Sequence, residues 1–474
     1  MLNQLATLAN STAIFRCLLD NGIPSARVVQ PNHSTYAALN FQWISRNPLK
    51  PLAYLRASAA THIQAAVRCS SETGVPIVAR AGGHSFEKYS IISNSHVVID
   101  LGEMNSTALD KETGIVTLGP GLLMGHVNHW LWQQGNYSIP SPRCQMIGLA
   151  GFALGGGYGY SSRKDGMLCD HIVEMQMVDA SGEILVVNAN SHPDLFFALR
   201  GAGGGNFGIV TQFRIQTIRP PSIVHSITLK YPFNQFANVL RIWHRWALSN
   251  PHRSITAFIS ANRRGVLVNA AVQHHDPIKG LLLSHAVTSK FPEPVNQAPV
   301  LQSSYMDMLI NLSPPNTPNF NEITRQSNGI SYFKSTSILV TNRNPRLNNL
   351  TTLPEGGYIL IDLHGGKIND IPSHATAYPH RQTILYSISA SIHAINPHQQ
   401  QEGTQWLSQL TPILSTMGFY VYSNFMNSNL TQPLLRFYGF NKHRLVKVKA
   451  IYDPTNLFNY PNSIPTSLNT YKSN

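Results

Sequence analysis

Arg80-Ala81-Gly82-Gly83-His84-Ser85 follows the apolar run Val75-Pro76-Ile77-Val78-Ala79 and leads into no helix-like segment. Adjacent glycines expose bare backbone N–H groups, the concave geometry that accepts phosphate oxygens. Taken alone, the segment also suits an ordinary structural turn. It is not a P-loop, which needs Gly-x-x-x-x-Gly-Lys-Ser/Thr, nor a dinucleotide fingerprint, which needs Gly-x-Gly-x-x-Gly entering a helix. It is followed by Asp100-Leu101, Gly119-Pro120-Gly121, Cys144-Gln145-Met146-Ile147-Gly148-Leu149-Ala150-Gly151, Gly155-Gly156-Gly157-Tyr158-Gly159 and Gly205-Asn206-Phe207-Gly208-Ile209-Val210. Glycine at this density lets backbone approach a ligand closely.

The four cysteines, Cys17, Cys69, Cys144 and Cys169, show no Cys-x-x-Cys or Cys/His metal spacing, so no zinc site is expected. One disulfide would fit, with Cys17 and Cys69 able to staple an N-terminal helix to the helical pattern over 58–70. Around these residues the chain reads as mixed α/β up to residue 219. It then changes to alternating strand patterns over 254–260, 265–273, 358–363 and 383–392, interleaved with helix-like segments. The text from about Gln432 returns to glycine and aromatic punctuation. This predicts a ligand domain split around an inserted substrate domain, which suits 474 residues, more than one core usually serves.

Hydrophobic residues at 43% and charged residues at 12% describe a globular chain. The net charge of +13 is scattered, with one basic cluster, His443 to Lys449, which reads as one amphipathic element with a solvated basic face. Nucleic-acid binding is therefore not expected, although it would predict salt-sensitive retention on DNA. The charge would instead steer an anionic ligand. No stretch reaches the roughly 18 uninterrupted apolar residues of a membrane span, so no membrane partner is expected. Seven Asn-x-Ser/Thr sequons (Asn10, Asn32, Asn105, Asn136, Asn311, Asn349, Asn429) favour a secreted glycoprotein.

The ordered series from Arg80 to Val210, with the tail Tyr452-Asp453-Pro454-x-Asn456-x-Phe458 and Asn462-Ser463-Ile464-Pro465, resembles the berberine-bridge-enzyme-like FAD-linked oxidases of the vanillyl-alcohol-oxidase superfamily. The similarity covers nearly the whole chain. It implies an α+β fold in which a two-lobed PCMH-type FAD-binding domain (1–219, motif core about 47–219) carries an inserted antiparallel substrate domain backed by helices (220–431). The 432–474 tail then returns to the FAD-binding domain. It also implies covalent FAD, bonded from His84 to the flavin 8α carbon and from Cys144 to its C6, and a Cys17–Cys69 disulfide that leaves Cys169 a free buried thiol. Two such attachments raise the reduction potential of the flavin and leave the site open. The cofactor residues expected from these motifs are Arg80, Ala81, Gly82, Gly83, His84, Ser85, Ser90, Cys144, Gly148, Gly151, Gly155, Gly156, Tyr158, Asn206, Gly208, Val210, Tyr422 and Asn424.

On the substrate side the chain departs from the family pattern. Where many members carry Tyr-x-Asn-Tyr with the last tyrosine as base, this chain reads Tyr422-Ser423-Asn424-Phe425, and phenylalanine takes no proton. Where members carry Glu or Gln on the strand after Pro379-His380-Arg381, Ser389 stands. The candidate bases are then Tyr158 first, followed by Tyr422 and His364, and the expected substrate contacts are Tyr386, Ser387, Ser389 and Phe425. A tyrosine titrates near ~10 and needs a cation or the flavin's polarity to act as base at neutral pH. The expected reaction is hydride transfer to flavin N5 from the alcohol or hemiacetal carbon of a small molecule: a sugar, an oligosaccharide or a secondary metabolite. A monomer is expected. Dioxygen is the expected acceptor, because Ile147 stands where relatives leave oxygen access open. The alternative is a flavin-binding protein that has lost its base.

Overall fold

The computed structural model describes residues 12–297, 300–314, 317–326 and 329–470. Its N-terminal part contains a four-stranded sheet in the order Val28–Val29, Ala53–Arg56, Val97–Asp100, Ile77–Arg80, whose last three strands run parallel. The helix Ala60–Thr73 is the crossover between two of them and buries Ile63, Ala66, Val67 and Ser70 at helical spacing. Cys17 and Cys69 are joined as a disulfide, tying the 12–20 helix to this crossover. Ligands bind outside the carboxyl ends of parallel strands, and His84 lies four residues beyond the end of Ile77–Arg80.

A five-stranded antiparallel sheet follows, in the order Thr107–Asp110, Ile115–Leu118, Ile209–Gln216, Ile172–Val178, Ile184–Asn188. The third sheet is eight-stranded and antiparallel, and its long strands are Val224–Tyr231, Gly265–Val272, Ile255–Asn262, Gly357–Leu363, Tyr386–Ala394 and, at the edge, Tyr332–Val340, in that spatial order. Successive side chains on a strand point to opposite faces, and the two faces of this sheet are unlike. The odd positions Ser389, Ser391 and His393 open to a cleft, whereas Ile388, Ala390 and Ile392 belong to the core. Helices Pro277–Thr288 and Pro397–Ser415 pack against the sheet. On the core face Gly403 lies against Ile392, where a Cβ would collide with the isoleucine side chain.

The basic cluster near the C-terminus forms the helix Lys442–Tyr452, and its basic face is only partly solvated. Arg444 and Lys447 are exposed, but Lys449 is 0% exposed and forms an ion pair with Asp453, also 0% exposed, at 2.6 Å. Its ammonium also donates to the carbonyls of Asn206 (2.7 Å) and Phe458 (2.6 Å). A buried ammonium persists only when its donors are satisfied, so Lys449 pins the tail to the glycine-rich 203–208 loop. Among the described residues no helix is long and apolar enough to cross a membrane.

Candidate active site

A cleft of about 1630 Å³ lies between the glycine-rich turns and the polar face of the eight-stranded sheet. Ligand pockets typically occupy ~300–1,000 Å³, so this one has room for a cofactor and a substrate together. Its first wall is set by backbone contact. A Cβ on Gly82 would strike the backbone nitrogen of Gly148, and a Cβ on Gly148 would strike that of Gly82. This contact brings the His84 turn and the Cys144 loop to one place.

Both side chains line the cleft. Burial lowers the His84 imidazole pKa to about 4, so the ring is neutral near pH 7, and its Nε2 is buried without a hydrogen-bond partner. Cys144 is a free thiol that burial pushes up, against the pull of the Met146 and Ile147 backbone N–H groups and Arg143. Ala81, Gly82, Gly83, Ser85, Ser90, Gly148, Gly151, Tyr158, Gly208, Val210, Tyr422 and Asn424 line the same cleft. A neutral imidazole with an orphaned nitrogen, a thiol and a glycine-lined wall form a donor set that fits a covalently held flavin.

Four residues expected at the cofactor stand behind the wall, outside the cleft lining. Arg80 is buried and turns inward, its guanidinium lying 3.7 Å from Asp100. Asn206 donates to Ala202 O (2.8 Å) and accepts from Ile464 N (2.9 Å), bracing the tail. Gly155 leaves space for the Asn424 side chain, with which a Cβ would collide. Gly156 packs against Met167.

The three expected bases are engaged in other ways. The Tyr422 hydroxyl accepts from Gly157 N (2.9 Å), Tyr158 N (3.1 Å) and Asn424 Nδ2 (3.0 Å), so it braces the 155–159 turn, and burial pushes its phenol up to about 12. Tyr158 donates to Leu363 O at 2.7 Å. Burial, with Asp362 adding to it, raises its phenol far above the ordinary value, despite Arg163 and Arg143 nearby. His364 lies under Tyr158, ring on ring at 4.3 Å with planes 2° apart, and outside the cleft lining. Burial, with Arg163 beside it, holds its imidazole near 3.

Of the expected substrate contacts, Ser389 and Phe425 line the cleft. Tyr386 does not: strand alternation puts it on the core face, where its hydroxyl meets His244 Nδ1 at 2.8 Å. Ser387 shares the parity of Ser389 but is buried and lies outside the lining.

Sequence reading missed Asp362 and Arg143. Asp362 lies on the strand Gly357–Leu363, where Tyr358, Leu360 and Asp362 point into the cleft with period two. Its carboxylate is 3.3 Å from Arg143 Nε, and the guanidinium also lies over the Phe258 ring. Burial raises the Asp362 pKa above the ordinary carboxylate value and Arg143 opposes the rise. Arg143 immediately precedes Cys144 in the chain, so the ion pair lies beside the wall that carries the Cys144 thiol. The alternation of Tyr358, Leu360 and Asp362 was visible in the sequence; which parity faced the cleft was not.

Residues 51–188 match the FAD binding domain family and residues 421–465 the family of berberine and berberine-like proteins. The chain is 28% identical over 491 residues to a xylooligosaccharide oxidase of Thermothelomyces thermophilus, covering 96% of this chain and 95% of that one. It is 26% identical to cannabidiolic acid synthase-like 2 of Cannabis sativa, over 98% and 95% of the two chains. Among solved structures, BBE-like 1 of Physcomitrella patens superposes with a TM-score of 0.87 at 28% identity, covering 96% of this chain and 99% of that one. The xylooligosaccharide oxidase of Myceliophthora thermophila C1, solved with xylobiose, superposes with a TM-score of 0.86 at 25% identity over the same shares. With matching domains at both ends of the chain and one fold across its length, this protein belongs to the berberine-bridge-enzyme-like FAD-linked oxidoreductases.

Proposed function

We propose that the chain holds FAD covalently on His84 and Cys144 and oxidises the hydroxyl-bearing carbon of a carbohydrate, an oligosaccharide hemiacetal being the best match. FAD when bound supplies the acceptor for a hydride. Asp362 supplies the base that Phe425 and Ser389 do not, and this placement carries the reading. An ionised carboxylate that faces the cleft and is steadied by one guanidinium takes the hydroxyl proton as the hydride leaves the same carbon. Tyr158 and Tyr422 position the turn, since their hydroxyls are committed to Leu363 O and to backbone N–H groups.

A sugar chain suits the two cleft surfaces. Ser260, Asn262, Asn269, Ser389 and Ser391 present small polar groups to its hydroxyls, while Phe86, Phe333 and Phe425 give aromatic faces for its rings. The xylooligosaccharide oxidase relative supports this class. Dioxygen is the acceptor in this reading, with Ile147 on the cleft wall. The sequons fit a secreted glycoprotein: Asn32, Asn105, Asn136, Asn311 and Asn429 are all exposed, while Asn10 lies outside the described residues.

The test is anaerobic mixing with a panel of oligosaccharides, followed by admission of air. Bleaching of the yellow chromophore and then stoichiometric peroxide are expected with at least one sugar. A panel that leaves the colour unchanged while aromatic alcohols bleach it overturns the substrate class. Bleaching without oxygen uptake makes the protein a dehydrogenase.

A further inference from the structure

The His84 imidazole is stacked on the indole of Trp43, with centroids 3.7 Å apart and planes inclined by 26°. The Phe86 ring lies further off, with centroids 6.4 Å apart, and the buried Nε2 has no hydrogen-bond partner. Trp43 lies outside the histidine turn, in the segment that precedes the strand Ala53–Arg56. It is fixed by a segment far along the chain. Ile330 N, from the stretch just before the strand Tyr332–Val340, donates to Trp43 O at 2.7 Å, and Ser45 N donates back to Ile330 O at 2.9 Å. The indole also meets Phe333 at 5.3 Å. An aromatic face fixes the plane of a neighbouring ring without occupying its nitrogens. The stack therefore orients the imidazole and leaves its lone pair free.

We propose that Trp43 is a positioning residue for flavin attachment: it holds the His84 ring in the plane from which it bonds the flavin, and its clamp to Ile330 makes attachment depend on docking of the sheet against the FAD-binding part. The proposal rests on the reading that His84 carries the flavin. In that step an imidazole nitrogen bonds the 8α methyl carbon. One N–H and one C–H bond break, and two electrons and two protons pass to the isoalloxazine. Dioxygen then removes them as hydrogen peroxide. Misorientation of a reacting group slows such a step steeply, because most of its advantage is proximity and alignment.

The experiment compares full-length wild-type protein with Trp43→Leu and Trp43→Phe by peptide mapping. Flavin occupancy on the His84 peptide is the readout, the Cys144 peptide is the internal reference, and thermal unfolding is measured in parallel. Trp43→Leu is expected to lower His84 occupancy about tenfold or more, and Trp43→Phe, which keeps a flat face, to restore it to within about twofold. Equal occupancy in Trp43→Leu and wild type overturns the proposal. So does a fall that follows lost thermal stability in both variants, since that marks a merely structural role. A wild-type His84 peptide without flavin, in contrast, overturns the attachment reading beneath it.

Discussion

On one wall of the cleft Gly82 and Gly148 press backbone against backbone; on the other, Ser260, Leu360 and Ser389 lie side by side as cross-strand neighbours with open space above them. The first wall admits one residue type at each contact, so its chemistry is tied to a fixed local pattern. The second is a platform on which side chains change without moving the backbone, and the departures from the family pattern, Ser389 and Phe425, both line the cleft there or beside it. A wall fixed by backbone contact facing a wall of exchangeable side chains is one way a single fold serves different substrates.

If that contrast holds, the largest effect comes from Asp362, the buried carboxylate that the variable wall turns into the cleft. Asp362→Asn is expected to lower kcat by about 10²–10⁴-fold while flavin content is unchanged, the usual range for losing a general base. Steady-state kinetics with absorbance-normalised enzyme checks this, and full turnover would move the base elsewhere.

Gly82→Ala tests the fixed wall. Its Cβ meets Gly148 backbone, which has no flexible end to yield, so a cost of roughly 1–3 kcal/mol and loss of flavin incorporation are expected. Ser389→Ala on the other wall is expected to stay within about ±0.5 kcal/mol. Thermal unfolding and the flavin-to-protein absorbance ratio give both readings.

Tyr422→Phe removes the acceptor for two backbone N–H groups and is expected to cost about 1–3 kcal/mol with a partial fall in kcat. A large stability loss with kcat intact would confine Tyr422 to bracing the turn. A subtler effect concerns pH. Only the ionised Asp362 accepts a proton, so the rate falls as pH drops through its pKa. Because Arg143 lowers that pKa against burial, Arg143→Met is expected to move the acid limb of kcat to higher pH. Tyr386→Phe, on the core face, is expected to cost about 1 kcal/mol and leave the kinetics alone.

These two walls also explain what could be read from the residues. Gly82, His84 and Cys144 stand in short local motifs, whereas Cys17 and Cys69, 52 residues apart, were paired by the family resemblance and by the helical pattern around Cys69. Tyr386 and Ser387 were placed together at the substrate although adjacent strand residues face opposite sides. The register that separates them, Ser389 beside Leu360 and Ser387 beside Asp362, joins segments far apart in the chain. His364 was named as a candidate base and Asp362, two residues earlier, was not considered; the strand ends at Leu363, and the histidine turns under Tyr158. Arg80 reads as part of the glycine turn, but it is buried and turned inward toward Asp100 and Tyr54. Trp43 carries no local signal at all, since its partner is Ile330.

The central claim is that flavin is bonded to the first wall, and the visible spectrum of acid-precipitated, washed protein tests it directly. A pellet that keeps its yellow colour in wild type, and still keeps it in either His84→Ala or Cys144→Ala but loses it in the double variant, is the expected result. A colourless wild-type pellet with the pigment in the supernatant would contradict the account.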